Sequence, residues 1–389
     1  MILTPRIKEL ATRIDHADRS VRNLDEDISE LVLLLEEAMQ QPSVASMYQE
    51  YRGSGIDTVG SDQLASYPMG LDGYAEAFDP IWQDDDLVKT FFQYGVVVGK
   101  EVISAEVRDQ TVERMFELMR LISQGTFDLA DSATWDHIPL DESGIAVWSR
   151  GFFEIYHDAI LAEIRQSVRL YIHHTLLWGT ARLWTSFDRL GIKLPGNAES
   201  KGLPLHVDQN PTVHPYFKTT QGVLAIADNP LERGVFVGVP GSKALFHNYA
   251  DMAKNKGEYV ELDQTHPVAQ ELQQSAQPFP LRSRDIVTWD SRTTHANTDN
   301  ISDKMRLVAY VSQGPAREDN SEALEARRAA FRSGVGSNNR EALMHASKKL
   351  RYNNPELLQR LRKIERLTFL GKLLYGEESY ASVKKAAAA

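Results

Sequence analysis

Apolar residues recur at three- and four-residue steps near both ends of this chain and in short runs through its middle. From Pro5 to about Met39, residues Ile7, Leu10, Ala11, Ile14, Leu24, Ile28, Leu31, Leu34 and Leu35 keep that step. It is the spacing that lays one stripe of a helix on a core. Residues 41–86 lose the periodicity and are rich in Gly, Ser, Asp and Tyr, so they read as an irregular segment of the kind that forms binding loops. Gln83-Asp84-Asp85-Asp86 closes that segment just ahead of an apolar run, which favours a helix N-terminal charge cluster over a metal site. Val96, Val97 and Val98 read as a buried strand. Ser104 then caps a helix with apolar positions Val107, Val112, Met115, Leu118, Met119 and Ile122. A second helix, about Phe152 to Leu177, carries His157, His173 and His174. No two of these have the four-residue spacing of helical metal ligands, so they read as satisfied or surface histidines.

After Gly179 the pattern changes to short strands: 181–188, 203–208, 220–228, 234–240, 284–290 and 306–313, separated by Gly, Pro and Asn turns. That is the rhythm of an antiparallel sandwich or barrel. His247 to Pro280 is polar and loosely helical and reads as an insertion. Beyond Pro315 the helical period returns over Ser321–Arg332, Arg340–Leu350 and Pro355–Leu374. Three blocks follow: a helical and irregular extension over 1–87, a β core over 88–315, and a helical segment over 316–389 that packs on the core. The terminal helices are also the candidate surface for a homodimer.

Composition narrows the chemistry. The chain has 389 residues, a net charge of −11 and no cysteine. The charge argues against nucleic acid as a partner. The absence of cysteine removes disulfides, thiolate zinc sites and iron–sulfur clusters, and fits a reducing, cytoplasmic setting. The N-terminus has no apolar h-region, and no window approaches the roughly 20 apolar residues of a membrane span.

Against this background two stretches stand out. Leu203–Gln209 contains His206 and Asp208, and Trp289–Arg306 contains His295 and Arg306. His206 and Asp208 are two apart on an expected strand, so they share a face. Two histidines and one carboxylate on one side of a metal make the ligand set of non-haem Fe(II) oxygenases. An arginine opening the next strand can fork onto a carboxylate. A zinc hydrolase using His206, Asp208 and His214, or a non-catalytic cupin-like binding protein, are the readings this must beat. Trp184 and Trp289 are candidates for the pocket wall, with core packing as their simpler role.

The spacing of these residues resembles the phytanoyl-CoA dioxygenase-like branch of the Fe(II)/2-oxoglutarate oxygenases. Lys193, Pro195 and Gly196 match its Lys-x-Pro-Gly. Asp228, Gly234 and Pro240-Gly241-Ser242-Lys243 match the strand that follows. Asp285, Ile286, Val287, Trp289, Asp290, His295, Asn297, Asn300, Ser302 and Arg306 match its closing motif. The likeness covers about Val88 to Gln313. Asn297 departs from the usual serine or glycine, and Pro211–Lys218 has no counterpart. The resemblance implies a mainly β fold with helices: a double-stranded β-helix (the cupin-like jelly roll) buttressed by N- and C-terminal helices. It also implies Fe(II) held by His206, Asp208 and His295, with 2-oxoglutarate chelating the metal. The distal carboxylate would pair with Arg306, helped by Asn297, and Lys193 would serve the cofactor too. With O2 this predicts hydroxylation of an aliphatic C–H bond in a small molecule, an amino acid or natural-product intermediate, releasing succinate and CO2. Desaturation, epimerisation or cyclisation would use the same oxidising chemistry. Asp208 occupies the position that halogenating relatives leave open, which disfavours halogenation.

Overall fold

The amphipathic N-terminus forms two helices, α1 (Pro5–Asp15) and α2 (Asp25–Met39). Thr4 caps the first, its Oγ1 accepting from Ile7 N, and Asp25, Glu26 and Asp27 occupy the first turn of the second. The structure is a computed structural model that describes residues 2–17, 24–53, 64–135, 146–147, 152–153, 155–196, 202–251, 260–337, 364 and 366–383. The stretch expected to be irregular from residue 41 opens instead with helix α3 (Pro42–Gly53). No apolar stripe announces it, because its anchors are aromatic: Tyr48 donates to Leu176 O, and Tyr51 stacks on Phe92 at 4.2 Å between centroids.

The acidic cluster starts α4 (Asp84–Tyr94), as the sequence predicts. Asp84 also accepts from Ile2 N, Leu3 N and Lys8 Nζ, which ties the N-terminus to the body. Gly95, at φ +70°, ends the helix and turns the chain into β1 (Val96–Gly99). Ser104 caps α5 (Ala105–Ile122) through Val107 N. The single helix expected from Phe152 is not formed. Strands β2 (Ala146–Val147) and β3 (Phe152–Phe153) are followed by α6 (Ala159–Arg165) and α7 (Val168–Trp178). The breaks fall at Asp158, whose carboxylate accepts from Ile160 N to cap α6, and at Ser167, which precedes α7 and donates its hydroxyl to Val102 O, and apolar periodicity alone registers neither. His157 Nε2 lies 2.9 Å from Val335 O, His173 Nε2 2.9 Å from Thr288 Oγ1, and His174 Nδ1 3.0 Å from Leu170 O. His173 and His174 are fully buried, so they are core histidines and not surface ones.

The β region runs β4 (Leu183–Thr185), β5 (Leu190–Lys193), β6 (His206–Val207), β7 (Thr220–Ala225), β8 (Phe236–Gly238), β9 (Val260–Glu261), helix α8 (Pro267–Gln274), β10 (Gln277–Phe279), β11 (Ile286–Asp290), β12 (His295–Asn297), β13 (Arg306–Tyr310) and β14 (Gln313–Pro315). One antiparallel sheet has the order β1-β11-β7-β13-β5-β3-β2, a second β10-β8-β12-β6-β9, and β14 pairs with β4. The expected insertion therefore supplies both edge strands of the smaller sheet. From β5 to β8 and again from β10 to β13 the chain alternates between the two sheets. Val223, Phe236, Phe279, Val287, Trp289 and Val308 pack between them.

Helices α9 (Ser321–Arg332) and α10 (Phe369–Tyr375) follow. Buried Arg327 of α9 donates to Thr185 O, Leu374 O and Tyr375 O, joining α9, β4 and α10. Residues of α1, α2, α7 and α10 share one apolar cluster, so both chain ends pack on the body. The helix expected over Arg340–Leu350, and most of that expected over Pro355–Leu374, lie outside the described residues. No helix among those described is long and apolar enough to cross a membrane.

Candidate metal centre

The smaller sheet brings the two distant motifs together. His206 on β6 is the cross-strand partner of His295 on β12, and their ring centroids are 4.3 Å apart. Asp208, two residues past His206, turns to the same side, with Oδ2 3.6 Å from His295 Nε2. One donor atom from each of the three residues lies within 4.8 Å of the others. His214 is not part of this group, and among the described residues no other set of three or more such donors is found.

The backbone orients both imidazoles. His206 Nδ1 is 2.7 Å from Pro204 O and His295 Nδ1 is 3.0 Å from Thr293 O. A carbonyl only accepts, so each Nδ1 carries the hydrogen and each Nε2 is the lone-pair nitrogen a metal requires. Burial, and then the neighbouring His295, push His206 down to about 4, which keeps the ring neutral. Burial alone would raise the Asp208 carboxyl. The approach of His295, and then of His206 and Gln221, outweighs it and holds the group well below the usual carboxylate range. Gln221 Nε2 donates to Asp208 Oδ2 at 2.9 Å. Two imidazoles and one carboxylate fit a divalent metal of the iron type.

A cavity of about 240 Å³ opens beside these donors. Phe236 and Trp289 form its apolar wall against His295, with ring centroids 5.9 and 4.9 Å away. Trp184, by contrast, is packed in the core. Arg306 lines the cavity and is only 2% exposed. Its Nε is buried without a partner, and no carboxylate among the described residues pairs with its guanidinium. Directly across the sheet from it stands Lys193.

Lys193 does not line the cavity. Its ammonium donates to Asn297 Oδ1 at 2.5 Å and Thr298 O at 2.9 Å. Leu203 N also donates to Asn297 Oδ1, at 3.3 Å. Two donors on one oxygen fix the amide, so Asn297 keeps its NH2 group for the cavity it lines beside Arg306. Burial, and then the charge of Arg306, push Lys193 down from 10.5 to about 7. The unfolded chain therefore binds more protons than the folded one between these two values, and this residue's contribution to stability rises with pH across that window. We expect the melting temperature of the ligand-free protein minus that of Lys193→Met to increase from pH 7 to pH 10. A flat difference would contradict the burial of a lysine that readily gives up its proton.

Sequence reasoning singled out His206, Asp208, His295, Arg306 and Asn297, and all five meet here. It missed Asp188, Arg189, Gln221 and Tyr310, which line the same cavity. For Gln221 the signal was present: it alternates with Val223 and Ala225 on β7, so it faces inward.

A protein of Aspergillus versicolor described as Ava biosynthesis cluster protein O is 27% identical over 264 residues, covering 64% of this chain and 82% of its own. Two solved structures share the fold along nearly the whole chain. A hypothetical protein from Escherichia coli has a TM-score of 0.53 at 15% identity, covering 96% of this chain and 98% of its own. A putative oxidoreductase from Salmonella typhimurium LT2 has a TM-score of 0.50 at 15% identity, covering 96% and 97%. The sequence profile of the phytanoyl-CoA dioxygenase (PhyH) family matches residues 93–308, a span that holds all three candidate ligands and Arg306. With more than half its length matched, the chain belongs to the phytanoyl-CoA dioxygenase family.

Proposed function

We propose that this protein is an Fe(II)- and 2-oxoglutarate-dependent dioxygenase that hydroxylates an aliphatic C–H bond of a small molecule. The observation that carries the reading is the meeting of His206, Asp208 and His295 beside a buried arginine that has no carboxylate partner among the described residues. Family membership supports the reaction class. When bound, iron, 2-oxoglutarate and O2 supply an oxidant able to attack a C–H bond, and succinate and CO2 leave.

The chain's own residues do the rest. His206 and His295 present Nε2, and Asp208 presents the carboxylate that completes one side of the metal and keeps a halide from that position. Arg306 and the NH2 of Asn297 hold the distal carboxylate of 2-oxoglutarate, so the diacid enters in one orientation. Lys193 acts through Asn297. Trp289 and Phe236 exclude water from the reacting side. The alternation of strands between two sheets supports a double-stranded β-helix as the scaffold, with residues 88–315 as the catalytic unit and both chain ends packed against it.

Anaerobic addition of 2-oxoglutarate to the Fe(II)-loaded protein should produce a weak visible charge-transfer band. Admission of O2 should then give succinate and CO2. A colourless mixture that forms no succinate would overturn the assignment.

A further inference from the structure

The cavity has a second end. Asp188 and Arg189 precede β5 and lie beside the far end of β13, where Tyr310 N donates to Arg189 O at 2.8 Å. All three residues line the cavity. Arg306 stands four residues earlier on β13, about 13 Å away at the ordinary strand rise. A five-carbon diacid held by Arg306 and by the metal does not reach that far, so this end is left for the molecule that reacts.

Two acceptors on this part of the wall, from Asp188 and Gln221, have no donor among the described residues. Asp188 is 6% exposed. Its Oδ1 accepts from Arg189 N at 2.9 Å and Arg189 Nε at 3.0 Å, whereas Oδ2 has no donor among the described residues. Gln221 is 5% exposed. Its amide must turn Nε2 toward Asp208, because a carboxylate only accepts. That leaves Oε1 on the cavity wall, again with no donor among the described residues. Asp188 is held firmly. Its carbonyl accepts from Arg165 Nη2 at 2.7 Å, and fully buried Arg165 also donates to Tyr156 O and Tyr375 Oη. Both oxygens open onto the cavity, so a ligand that displaces the water there must bring donors of its own or leave them unmatched.

We infer that this end of the cavity recognises hydroxyl groups: Asp188 Oδ2 and Gln221 Oε1 accept hydrogen bonds from an uncharged, hydroxyl-bearing substrate. The inference rests on the oxygenase reading only in calling that ligand the substrate. The charge balance decides against an ammonium. Asp188 is already ion-paired, its Oδ1 with Arg189 Nε at 3.0 Å, so an ammonium set against Oδ2 would meet a carboxylate whose charge is largely spent. A hydroxyl keeps the hydrogen bond to that oxygen without drawing on a net charge. A plain acyl chain would bury both acceptors with nothing to satisfy them.

The test is the binding of three matched probes, cyclohexanol, methoxycyclohexane and cyclohexylammonium, followed by ligand-observed NMR. The protein is measured alone and loaded with Zn(II), as a diamagnetic stand-in for iron, plus 2-oxoglutarate. Cyclohexanol should bind about tenfold more tightly than methoxycyclohexane, the low end of what a hydrogen bond to a charged group contributes. Cyclohexylammonium should bind no better than the ether. Asp188→Leu should erase the preference. Asp188→Asn, which keeps the shape and one acceptor but not the charge, should reduce it severalfold and serves if the leucine variant does not fold. Equal binding of alcohol and ether, undetectable binding of the alcohol, tighter binding of the ammonium, or a preference that survives both variants would overturn the inference. Failure of the oxygenase reading shows separately, as the missing charge-transfer band of the wild-type protein.

Discussion

Asp208→Ala should reduce succinate formation to background while the protein still folds. The carboxylate is the only anion among the three donors, and among the described residues it meets His295 Nε2 at 3.6 Å and accepts from Gln221 Nε2 at 2.9 Å. Loss of an outer partner of a metal ligand typically weakens metal binding by about 10–100-fold, and loss of the ligand itself should exceed that. The folding cost is smaller. β6 has two residues, and the inter-sheet apolar cluster draws on β7, β8, β10, β11 and β13, so no main core element depends on Asp208. Gln221 Nε2 would lose its acceptor, at a cost of about 1–3 kcal/mol. Iron content after dialysis, succinate yield and the circular dichroism melt separate the two effects. A variant that keeps its iron and its turnover would remove Asp208 from the metal.

How much of this was legible beforehand depends on what kind of fact each feature is. The ligand pair His206 and Asp208 could be read because strand geometry alone puts residues two apart on one face. Arg306 could be read because a cation opening a core strand calls for an anion. Strands β5 and β12 escaped notice. LGIK sets just two apolar residues, Leu190 and Ile192, at alternate positions, too short a run to stand out, and HAN gives two of its three positions to the site. Helix α3 was hidden because Tyr48 and Tyr51 hold it through aromatic and hydroxyl contacts with α7, α4 and the end of β11, where Tyr51 Oη donates to Asp290 Oδ2 at 2.8 Å. The split between α6 and α7 falls at Ser167, whose hydroxyl donates to Val102 O at 2.7 Å, a tertiary contact that a hydrophobic period passes over. The open oxygens of Asp188 and Gln221 belong to a different order of information. An acceptor lacks a donor only once every neighbour is placed, and no local pattern in the chain carries that.

Arg306→Met should change 2-oxoglutarate affinity and ligand-free stability in opposite directions. Methionine preserves an unbranched, apolar stem of similar length. What is lost is the charged hydrogen bond to the distal carboxylate, worth about 1.5–3 kcal/mol, so the 2-oxoglutarate concentration needed for half-saturation should rise roughly ten- to hundredfold. In the ligand-free protein, however, the same guanidinium is a buried cation with no counter-ion among the described residues, set directly across the sheet from Lys193. Like charges opposed on a sheet are unfavourable, and an unpaired buried charge more so. Its removal should therefore raise the melting temperature without ligand, by about 2 °C for each kcal/mol relieved. It should also let the Lys193 pKa climb back from about 7, because one of the two causes that depress it is gone. The pH window over which stability rises would then narrow from its lower edge. Adding 2-oxoglutarate and metal should stabilise the wild type strongly and the variant little, since only binding to the folded state shifts the melt. Unchanged saturation by 2-oxoglutarate would refute the pairing. A lower melting temperature without ligand would mean that the guanidinium already has a partner in the folded chain, and that its charge is not held in reserve for a diacid.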